Sequence, residues 1–438
     1  MASKYRAAES RRASLDDAFP ALRLQWAIAE ASRCLMCEDP PCQQGCLAGV
    51  DIKKFVRALR SRNVRGAVAA IREANFLVAT CGRVCPQGEL CEKRCSATGL
   101  ARPIAIGELQ RFVGETAIKE KIQPAFPEAR SRGQVAVVGA GPAGLSAAFY
   151  LRREGVVADL YERRADLGGT PRAGLPRFRL PREVLEAELG FVASSGINVI
   201  HEEVRDLPAL AARYRAVFLG CGLGRARALD RPGERLEGVH QADALLEQVN
   251  ASQPMLRWSG TTVILGGGNS AMDAAALAFR LGSEKVIVAY RRGEAEMPAW
   301  SEHRGFAVEE GAELRFLLLP LEIVGESGRV RGVRFQSARL GEPDSSGRRQ
   351  PLPVEGAFET VDCRQVILAL GTYPGDGWRA LGLAAGAGGP RVDPATMETS
   401  HPGVYAGGDL VNGGATVVQA VADGRRAARA IVQRLASN

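Results

Sequence analysis

The residues with the clearest chemistry in this 438-residue chain are its cysteines. Eight of the ten fall between positions 34 and 95, and no histidine lies among them. They form two groups of four, with gaps of two, four and three residues in the first group and three, five and three in the second. Thiolates hold the iron of iron–sulfur clusters, and short gaps let one loop wrap around a cube of iron and sulfide. The spacing therefore predicts two clusters, with ligands drawn from Cys34, Cys37, Cys42, Cys46, Cys81, Cys85, Cys91 and Cys95.

Three other kinds of site use clustered cysteines. A structural zinc site usually has two Cys-x₂-Cys pairs, and only Cys34 and Cys37 are spaced in that way here. A disulfide scaffold needs an oxidising compartment, and residues 1–12 lack the apolar stretch of an export signal. A thiol–disulfide enzyme would carry a cysteine pair beside a glycine-rich motif or in a thioredoxin-like unit. The two remaining cysteines, Cys221 and Cys363, are predicted to be small buried residues.

A first glycine-rich motif follows a short apolar strand at 135–138. It is followed by a predicted helix at 145–153 and by a second strand that ends at an acid. The glycines permit a tight turn and a close approach of a pyrophosphate to the helix N-terminus, and the acid accepts ribose hydroxyls. This order predicts a dinucleotide site rather than an ordinary glycine turn, with contacts from Gly139, Gly141, Pro142, Ala143, Gly144, Glu162 and Arg163.

A second glycine-rich motif follows the strand at 263–265 and opens a helix predicted to start near Met272. Alanine replaces the third glycine, which this fingerprint tolerates. The next strand, 286–290, ends in two arginines instead of an acid, and arginine accommodates the 2′-phosphate of NADP. The alternative is a pair of arginines exposed to solvent. The motif predicts a site for NADPH in preference to NADH, formed by Gly266, Gly268, Asn269, Ser270, Ala271, Arg291 and Arg292.

The remaining elements must position these sites. Helical apolar spacing at 22–34, 51–59 and 64–74 predicts a small α-helical domain around the cysteines. Beyond the second motif we expect strands at 314–319, 330–335 and 366–370, with a polar surface loop at 341–353. A final helix is predicted at 417–435.

The predicted class is α/β, with an α-helical iron–sulfur domain followed by two Rossmann-like domains. The segment 403–409 has no partner beside the second motif, so we expect the NAD(P) domain to be inserted into an FAD domain that the C-terminus completes. The predicted bounds are 1–130 for the iron–sulfur domain, 131–255 with 372–438 for the FAD domain, and 256–371 for the NAD(P) domain. Gly371, Gly408 and Asp409 are expected to contact the cofactors.

Composition excludes some partners. The net charge of +8 comes from scattered arginines, without a basic block interleaved with aromatic residues, so we expect no nucleic-acid binding. No stretch reaches the roughly 20 apolar residues of a membrane span. We therefore expect a cytoplasmic protein.

With these motifs the chain resembles an electron-input module of known enzymes. The module is shared by the N-terminal half of dihydropyrimidine dehydrogenase, the small subunit of bacterial glutamate synthase and NADH-dependent ferredoxin–NADP oxidoreductase subunits. The resemblance extends from about Leu22 to Leu435. It rests on the runs 33–46, 80–86, 106–110 and 403–409 and on both glycine-rich motifs.

The resemblance implies a ligand set for two [4Fe–4S] clusters. Cys34, Cys37, Cys42 and Cys95 would hold one, and Cys46, Cys85, Cys91 and Gln110 would hold the other. Cys81 would be left without iron. Sister branches commonly have an acid where Gln110 stands, so Gln110 favours kinship with dihydropyrimidine dehydrogenase and its bacterial reductase subunit. The alternative for Gln110 is an amide on a helix surface.

The chain departs from the family pattern at two places. Leu47 stands where proline usually follows the fourth cysteine, and Thr170 follows Gly169 where a bulky apolar residue is usual. The neighbouring run 174–181 matches well. We therefore expect Gly169 and Arg179 among the cofactor-binding residues, while contacts around Thr170 are less well matched.

The resemblance implies an electron-transfer subunit without a catalytic side chain of its own. NAD(P)H would give hydride to FAD, and single electrons would pass to the clusters and then to a partner. The partner could be an FMN-containing pyrimidine reductase subunit, a glutamate synthase large subunit, or a 2-oxoacid:acceptor oxidoreductase that reduces NAD(P)⁺. A stand-alone ferredoxin reductase or diaphorase is an alternative, and so is a binding protein that has lost activity.

Overall fold

A computed structural model of the chain describes residues 5–12, 14–251, 257–344 and 346–437. These form two compact units. The larger unit comprises Ala21–Arg172, Leu180–Arg225 and Thr372–Asn438, and the smaller unit comprises Met1–Pro20, Ala173–Arg179 and Ala226–Gly371. Within the described residues, none of the helices combines the length and the apolar character that crossing a membrane requires.

The regular elements described before residue 120 are helices and 3₁₀ turns, as predicted. Helix α1, Ala8–Arg12, belongs to the smaller unit. Asp51 and Asn63 begin two of the later helices by accepting hydrogen bonds from Lys54 N and Gly66 N, which satisfies amides that a helix leaves unpaired. In the larger unit lie α2 Leu24–Ser32, α3 Pro41–Gln44, α4 Ile52–Arg60, α5 Val64–Arg72, α6 Val78–Val84 and α7 Ile106–Lys119, with 3₁₀ turns at Gln87–Glu89 and Ser96–Gly99. Helices α2, α4 and α5 confirm the three predicted helices.

The first glycine-rich motif joins a buried parallel strand to a helix. The four residues 135–138 are all buried, as expected for a strand covered on both faces. Pro142 occupies the first turn of the following helix, where its missing N–H costs nothing. This part contains β1 Ser131–Val138, α8 Pro142–Arg153, β2 Val156–Tyr161, α9 Thr170–Ala173, α10 Arg182–Ala193, β3 Asn198–Ile200, α11 Leu207–Arg213 and β4 Ala216–Leu219.

The smaller unit repeats the strand, glycine turn and helix around the second motif. Its elements are β5 Arg225–Ala226, β6 Val239–Gln241, α12 Ala242–Ala251, β7 Thr261–Leu265, α13 Asn269–Leu281, β8 Lys285–Tyr290, α14 Ser301–Glu309, β9 Glu313–Phe316, β10 Leu318–Glu326, β11 Arg329–Pro343, β12 Arg349–Asp362 and β13 Gln365–Leu368, with a 3₁₀ turn at Glu294–Glu296. Strands β6, β13, β7, β8 and β9 form one parallel sheet in that order, and β10, β11 and β12 form an antiparallel sheet.

The C-terminal segment returns to the larger unit, as expected. It contains β14 Thr372–Tyr373, a 3₁₀ turn at Gly377–Leu381, β15 Val404–Ala406, α15 Asp409–Asn412 and α16 Val417–Ala436. The five-stranded sheet of the larger unit has the order β15, β4, β1, β2, β3, with all strands parallel. Strand β15, the last in the chain, therefore lies two positions from β1, the strand that leads into the first motif. This is the topology expected when a domain is inserted between β4 and β15.

One segment differs from the sequence-based expectations. The predicted loop at 341–353 is wrong for its outer parts, because β11 and β12 continue as an antiparallel ladder in which Ala338 pairs with Pro353 and Pro343 with Arg349. Pro351 and Pro353 are tolerated because β12 is an edge strand.

The predicted boundary at residues 255 and 256 lies outside the described residues, and the predicted domain bounds stay predictions. The longest segment of the smaller unit is Ala226–Gly371, within which β6 pairs with β13.

Candidate functional site

The first cysteine site is a cavity whose lining includes four thiols. Cys34 follows α2, Cys42 lies on α3, and Cys95 precedes a 3₁₀ turn. Burial first, and then the neighbouring Cys95 and Cys34, raise the pKa of Cys42 to about 11. The same causes, burial first, raise the pKa of Cys34. The remaining walls are mainly apolar, and the full lining is Cys34, Leu35, Met36, Cys37, Pro40, Pro41, Cys42, Ile52, Lys53, Val56, Cys95, Ser96, Ala97, Ile104 and Ile106.

The chemistry of this cavity fits an iron–sulfur cube. Four converging thiolates repel one another unless a cationic centre compensates their charge. In a [4Fe–4S] cluster each thiolate binds a different iron, so the sulfur atoms surround a volume and do not meet at one point. Accordingly, no three His, Cys, Asp or Glu side chains among the described residues are placed to hold a single metal ion.

The second cysteine site brings together Cys46, Cys81, Cys85 and Cys91. A hydrogen bond with the Cys81 thiol, then burial, then the charges of Cys81, Cys46 and Cys91 raise the pKa of Cys85. Burial also raises the pKa of Cys91, with contributions from Glu92 and Cys46. Cys85, Cys91 and Cys46 thus group as the family pattern implies. Cys81, expected to hold no iron, nonetheless lies within this group.

Two glycines set the packing of α6 against α7 and so shape the second site. A Cβ on Gly82 would lie 2.5 Å from Arg111 N, and a Cβ on Gly114 would lie 2.4 Å from Ala79 N. This close approach places Gln110 of α7 beside the start of α6, where its Nε2 donates to Val78 O at 3.0 Å. That bond fixes the amide orientation. No described residue donates to Gln110 Oε1, so this oxygen is available to a metal.

Buried carboxylates brace both cysteine sites, and sequence reasoning missed them. Glu30 of α2 is 3% exposed and accepts bonds from Arg33 at 2.6 Å, from Arg102 at 2.7 Å and from Ala105 N at 2.9 Å. It therefore ties the helix before Cys34 to the segment after Cys95. Burial alone would raise the pKa of Glu30, but the Arg102 and Ala105 bonds and the charges of Arg102 and Arg33 hold it below its ordinary value.

Glu188 of α10 plays the corresponding part at the second site. It is 3% exposed and accepts from Ala79 N at 2.7 Å and Thr80 N at 2.8 Å, at the start of the helix that carries Cys81. Burial raises the pKa of Glu188, because these bonds and the charge of Arg72 compensate it only in part. The signal in the sequence is weak, since a glutamate on a helix is usually exposed.

The first glycine-rich motif forms a cradle that side chains would fill. Gly139 has a φ of 98°, and a Cβ on Gly144 would lie 1.9 Å from Gly139 O. Gly168 N donates to Ala140 O at 2.9 Å, and a Cβ on Gly169 would lie 2.7 Å from Gly141 Cα. Pro142 and Ala143 open α8 at the same place. The predicted residues Gly139, Gly141, Pro142, Ala143, Gly144 and Gly169 therefore come together in a tightly packed turn, and Gly141, whose Cβ would have no neighbour nearer than 4.0 Å, leaves space at the start of α8 that fits a pyrophosphate.

Three further predicted residues lie around this cradle. Glu162 is 8% exposed at the end of β2, and its carboxylate accepts from Ala140 N at 2.7 Å and Arg164 N at 3.0 Å. Gly408, with a φ of 67°, follows β15, and a Cβ there would lie 2.9 Å from the Ala143 Cβ. Asp409 begins α15, and burial raises its pKa. Arg163 is exposed.

The second motif has the same strand, glycine turn and helix as the first, but different residues surround it. Gly266 has a φ of 146°, and Gly268 precedes α13 with open space where a side chain would be. Asn269 Oδ1 accepts from Trp300 N at 3.0 Å, Ser270 is exposed and Ala271 is fully buried. Gly371, at the end of the smaller unit, has a φ of 90° and open space around it. The helix N-terminus is therefore free for a phosphate.

The two arginines after β8 have unequal surroundings. Arg291 is exposed and forms no side-chain hydrogen bond or ion pair with any described residue. Arg292 is 4% exposed, donates from Nε to Arg349 O at 2.9 Å and is paired with Asp344. The prediction that both arginines face a ligand phosphate is therefore corrected: Arg292 is an interior residue because Asp344 neutralises it.

Arg179 also differs from its predicted place. It belongs to the smaller unit, where it is 6% exposed and paired with Asp273 of α13 at 2.7 Å. His303 Nε2 lies 2.8 Å from its guanidinium. Burial would lower the pKa of Arg179, but Asp273 outweighs this and raises it. The structure thus groups Arg179 with the second motif, since the buried Asp273 needs a counter-charge.

Comparison with known proteins gives two matching family models. Residues 11–122 match dihydropyrimidine dehydrogenase domain II, 4Fe-4S cluster, and residues 133–424 match pyridine nucleotide-disulphide oxidoreductase. Among solved structures, FprA of Mycobacterium tuberculosis in complex with NADPH is 20% identical, with a TM-score of 0.58 over 69% of this chain and 84% of that one. That likeness shows the fold of the dinucleotide-binding part.

Two relatives align along almost the entire chain. The glutamate synthase [NADPH] small chain of Halomonas elongata is 33% identical, covering 98% of this chain and 95% of its own length. The NAD-dependent dihydropyrimidine dehydrogenase subunit PreT of Escherichia coli is 35% identical, covering 95% and 96%. The chain therefore belongs to the family of pyridine nucleotide-disulphide oxidoreductases with an N-terminal [4Fe–4S] domain that includes the glutamate synthase small chain and the dihydropyrimidine dehydrogenase subunit PreT.

Proposed function

We propose that this chain is a cytoplasmic electron-transfer subunit that oxidises NADPH and delivers electrons to a separate catalytic subunit. The observation that carries the proposal is the make-up of the larger unit, which contains both cysteine sites and the first glycine cradle in one compact body. Electron transfer is fast only over short distances, so placing the flavin site and both cluster sites in one compact unit favours transfer among them.

The cofactors are those of the family to which the chain belongs, and the sites described above fit them. The chain carries FAD, two [4Fe–4S] clusters and a site for NAD(P)H. We assign Cys34, Cys37, Cys42 and Cys95 to the first cluster, and Cys46, Cys85, Cys91 and Gln110 Oε1 to the second. For Gln110 the support is the bond from its Nε2 to Val78 O, which leaves Oε1 without a donor among the described residues.

When bound, FAD converts the two-electron chemistry of NADPH into the one-electron chemistry of the clusters. The residues of the chain bind, orient and exclude water, and none acts as a nucleophile or general acid. Gly139, Gly144 and Gly169 allow the close backbone contacts that shape the turn, and Gly141 is the position with space beside it for the FAD pyrophosphate. Glu162 accepts ribose hydroxyls at the end of β2, and Asp409 lies where the ribityl or pyrophosphate region would run.

The nicotinamide cofactor is assigned to the second motif. The N-terminus of α13 is open for its pyrophosphate, and Asn269 is held in place by Trp300 N. Arg291 is exposed, unpaired among the described residues and directly after β8, where the 2′-phosphate of NADPH is recognised in this fold. These features favour NADPH over NADH.

The partner is inferred from the relatives, whose names describe a small chain and a subunit of larger enzymes. We propose a large subunit that carries the substrate chemistry and receives electrons from the clusters.

The test is purification of the tagged chain from its native host under anaerobic conditions. We expect a second, larger protein to co-purify in fixed ratio, and NADPH to reduce the flavin and cluster absorbance bands of the complex. A clean monomer that reduces ferredoxin at full rate without another subunit would contradict the proposal.

A further inference from the structure

The turn between β11 and β12 lies against the end of β8, where the second motif would bind the adenosine end of its ligand. Three bonds fix this contact. Arg292 is paired with Asp344, Arg292 Nε donates to Arg349 O at 2.9 Å, and Arg349 is paired with Glu296 at 2.6 Å. Since Arg292 is 4% exposed and its charge is neutralised, it anchors the turn and is not available to a ligand.

Hydrogen bonds join the described residues of the turn, 344 and 346–348. Asp344 N donates to Arg348 O at 2.9 Å, and Gly347 N donates to Asp344 O at 2.8 Å. Gly347 has a φ of 76°, which a residue with a side chain rarely adopts. The Asp344 carboxylate also accepts from Ser346 N at 2.8 Å. The backbone at Arg348 is therefore held on one side by its bond with Asp344 N and on the other by the bond from Arg292 to Arg349 O.

Positive charge is in excess at this place. Of the four arginines here, Arg292 is paired with Asp344 and Arg349 with Glu296, whereas Arg291 and Arg348 form no ion pair with any described residue. Burial first, and then the charges of Arg292 and Arg348, lower the pKa of Arg291. Arg291 has no bonded partner among the described residues, and Arg348 uses only its Nε, which donates to Ser346 Oγ at 3.0 Å. Among the described residues, the terminal nitrogens of both guanidinium groups are therefore without a hydrogen-bond partner, and the hairpin contact through Arg292 and Arg349 brings the two charges to the same end of β8.

We propose that Arg348 joins Arg291 in binding the 2′-phosphate of NADPH, with the Arg292–Asp344 pair as the positioning contact that holds Arg348 in place. A phosphate monoester dianion matches the two excess charges, and planar guanidinium groups bind its oxygens in pairs. The inference rests on the proposed NADPH site and adds that specificity comes from a hairpin as well as from the strand end.

The test measures dissociation constants of NADP⁺, NAD⁺ and 2′,5′-ADP by calorimetry with the holoprotein. For Arg348→Gln we expect affinity for NADP⁺ and 2′,5′-ADP to fall about 10- to 100-fold, with NAD⁺ unchanged within about twofold. Asp344→Asn should weaken NADP⁺ by a smaller factor, again without an effect on NAD⁺. Arg339→Gln removes the same charge from an exposed position on β11 and should change neither constant.

The outcomes separate this inference from the proposed function. If Arg291→Gln weakens NADP⁺ binding but Arg348→Gln does not, the hairpin inference is wrong and the NADPH site stands. If the wild type binds NAD⁺ as tightly as NADP⁺ and does not bind 2′,5′-ADP, the hairpin inference and the proposed NADPH site are both wrong. An equal loss of NADP⁺ and NAD⁺ affinity in Arg348→Gln would show a purely structural role for Arg348 and would also overturn the inference.

Discussion

The two cysteine sites arise from one short segment of sequence, yet they are held in different ways. In the first site, four thiols line one cavity, and the bracing Glu30 is paired with two arginines. In the second site, the three assigned thiols are grouped with a fourth cysteine, Cys81, and the fourth ligand is assigned to the Gln110 amide. The bracing Glu188 is held by backbone amides. The first site follows from cysteine spacing, whereas the second depends on how α6 packs against α7.

The largest expected effect is loss of the first cluster. Cys42→Ala removes one of the four thiolates that line the cavity, so iron and acid-labile sulfide should fall from about eight to about four per chain, since each cube holds four irons. The measurement is iron and sulfide analysis after anaerobic purification. Cys363→Ala is the matched control, because Cys363 is buried in the smaller unit. Retention of all eight irons in Cys42→Ala would remove Cys42 from the ligand set.

The second site can be tested by exchanging its two candidate fourth ligands. Gln110→Ala should alter the electron paramagnetic resonance spectrum of the reduced second cluster, because no described residue donates to its Oε1, whereas the Cys81 thiol is hydrogen-bonded to Cys85. Cys81→Ala should leave that spectrum unchanged. The opposite pattern would give the second site four thiolates, like the first, and would remove the main difference between them.

Sequence patterns revealed whatever depends on neighbours in the chain. Both glycine-rich motifs and the cysteine groups were predicted, because spacing and periodicity record local geometry. The return of the C-terminus to the first sheet was predicted because the segment 403–409 has no partner beside the second motif. Contacts between particular side chains that are distant in the sequence were not predicted. Glu188 meets Ala79 across 109 positions and Arg292 meets Asp344 across 52, and in each case burial decides which charge meets which partner. The strands at 341–353 were missed for the same reason, since a polar edge strand is recognised only by the strand beside it.

The smallest expected effect separates the two bracing carboxylates by their pH dependence. The pKa of Glu30 lies below its ordinary value of 4.5, so its stabilising contribution is complete above that pH and is lost only on acidification. Glu30→Gln should therefore lower the free energy of unfolding by about 2 kcal/mol, by the same amount at pH 5 and pH 8. The measurement is urea unfolding under anaerobic conditions.

Glu188 should show the opposite trend, because burial raises its pKa above 4.5. Its stabilising contribution is complete below 4.5 and is lost as the pH rises through the folded-state pKa, by up to about 1.4 kcal/mol per pH unit within that interval. Glu188→Gln keeps one acceptor oxygen for the amides of Ala79 and Thr80 and has no charge to desolvate. Relative to the wild type, this variant should therefore become more stable between pH 5 and pH 8, while the deficit of Glu30→Gln stays constant. Parallel pH profiles for the two variants would show that Glu188 is ionised as readily as Glu30, and the two sites would then be braced by equivalent carboxylates.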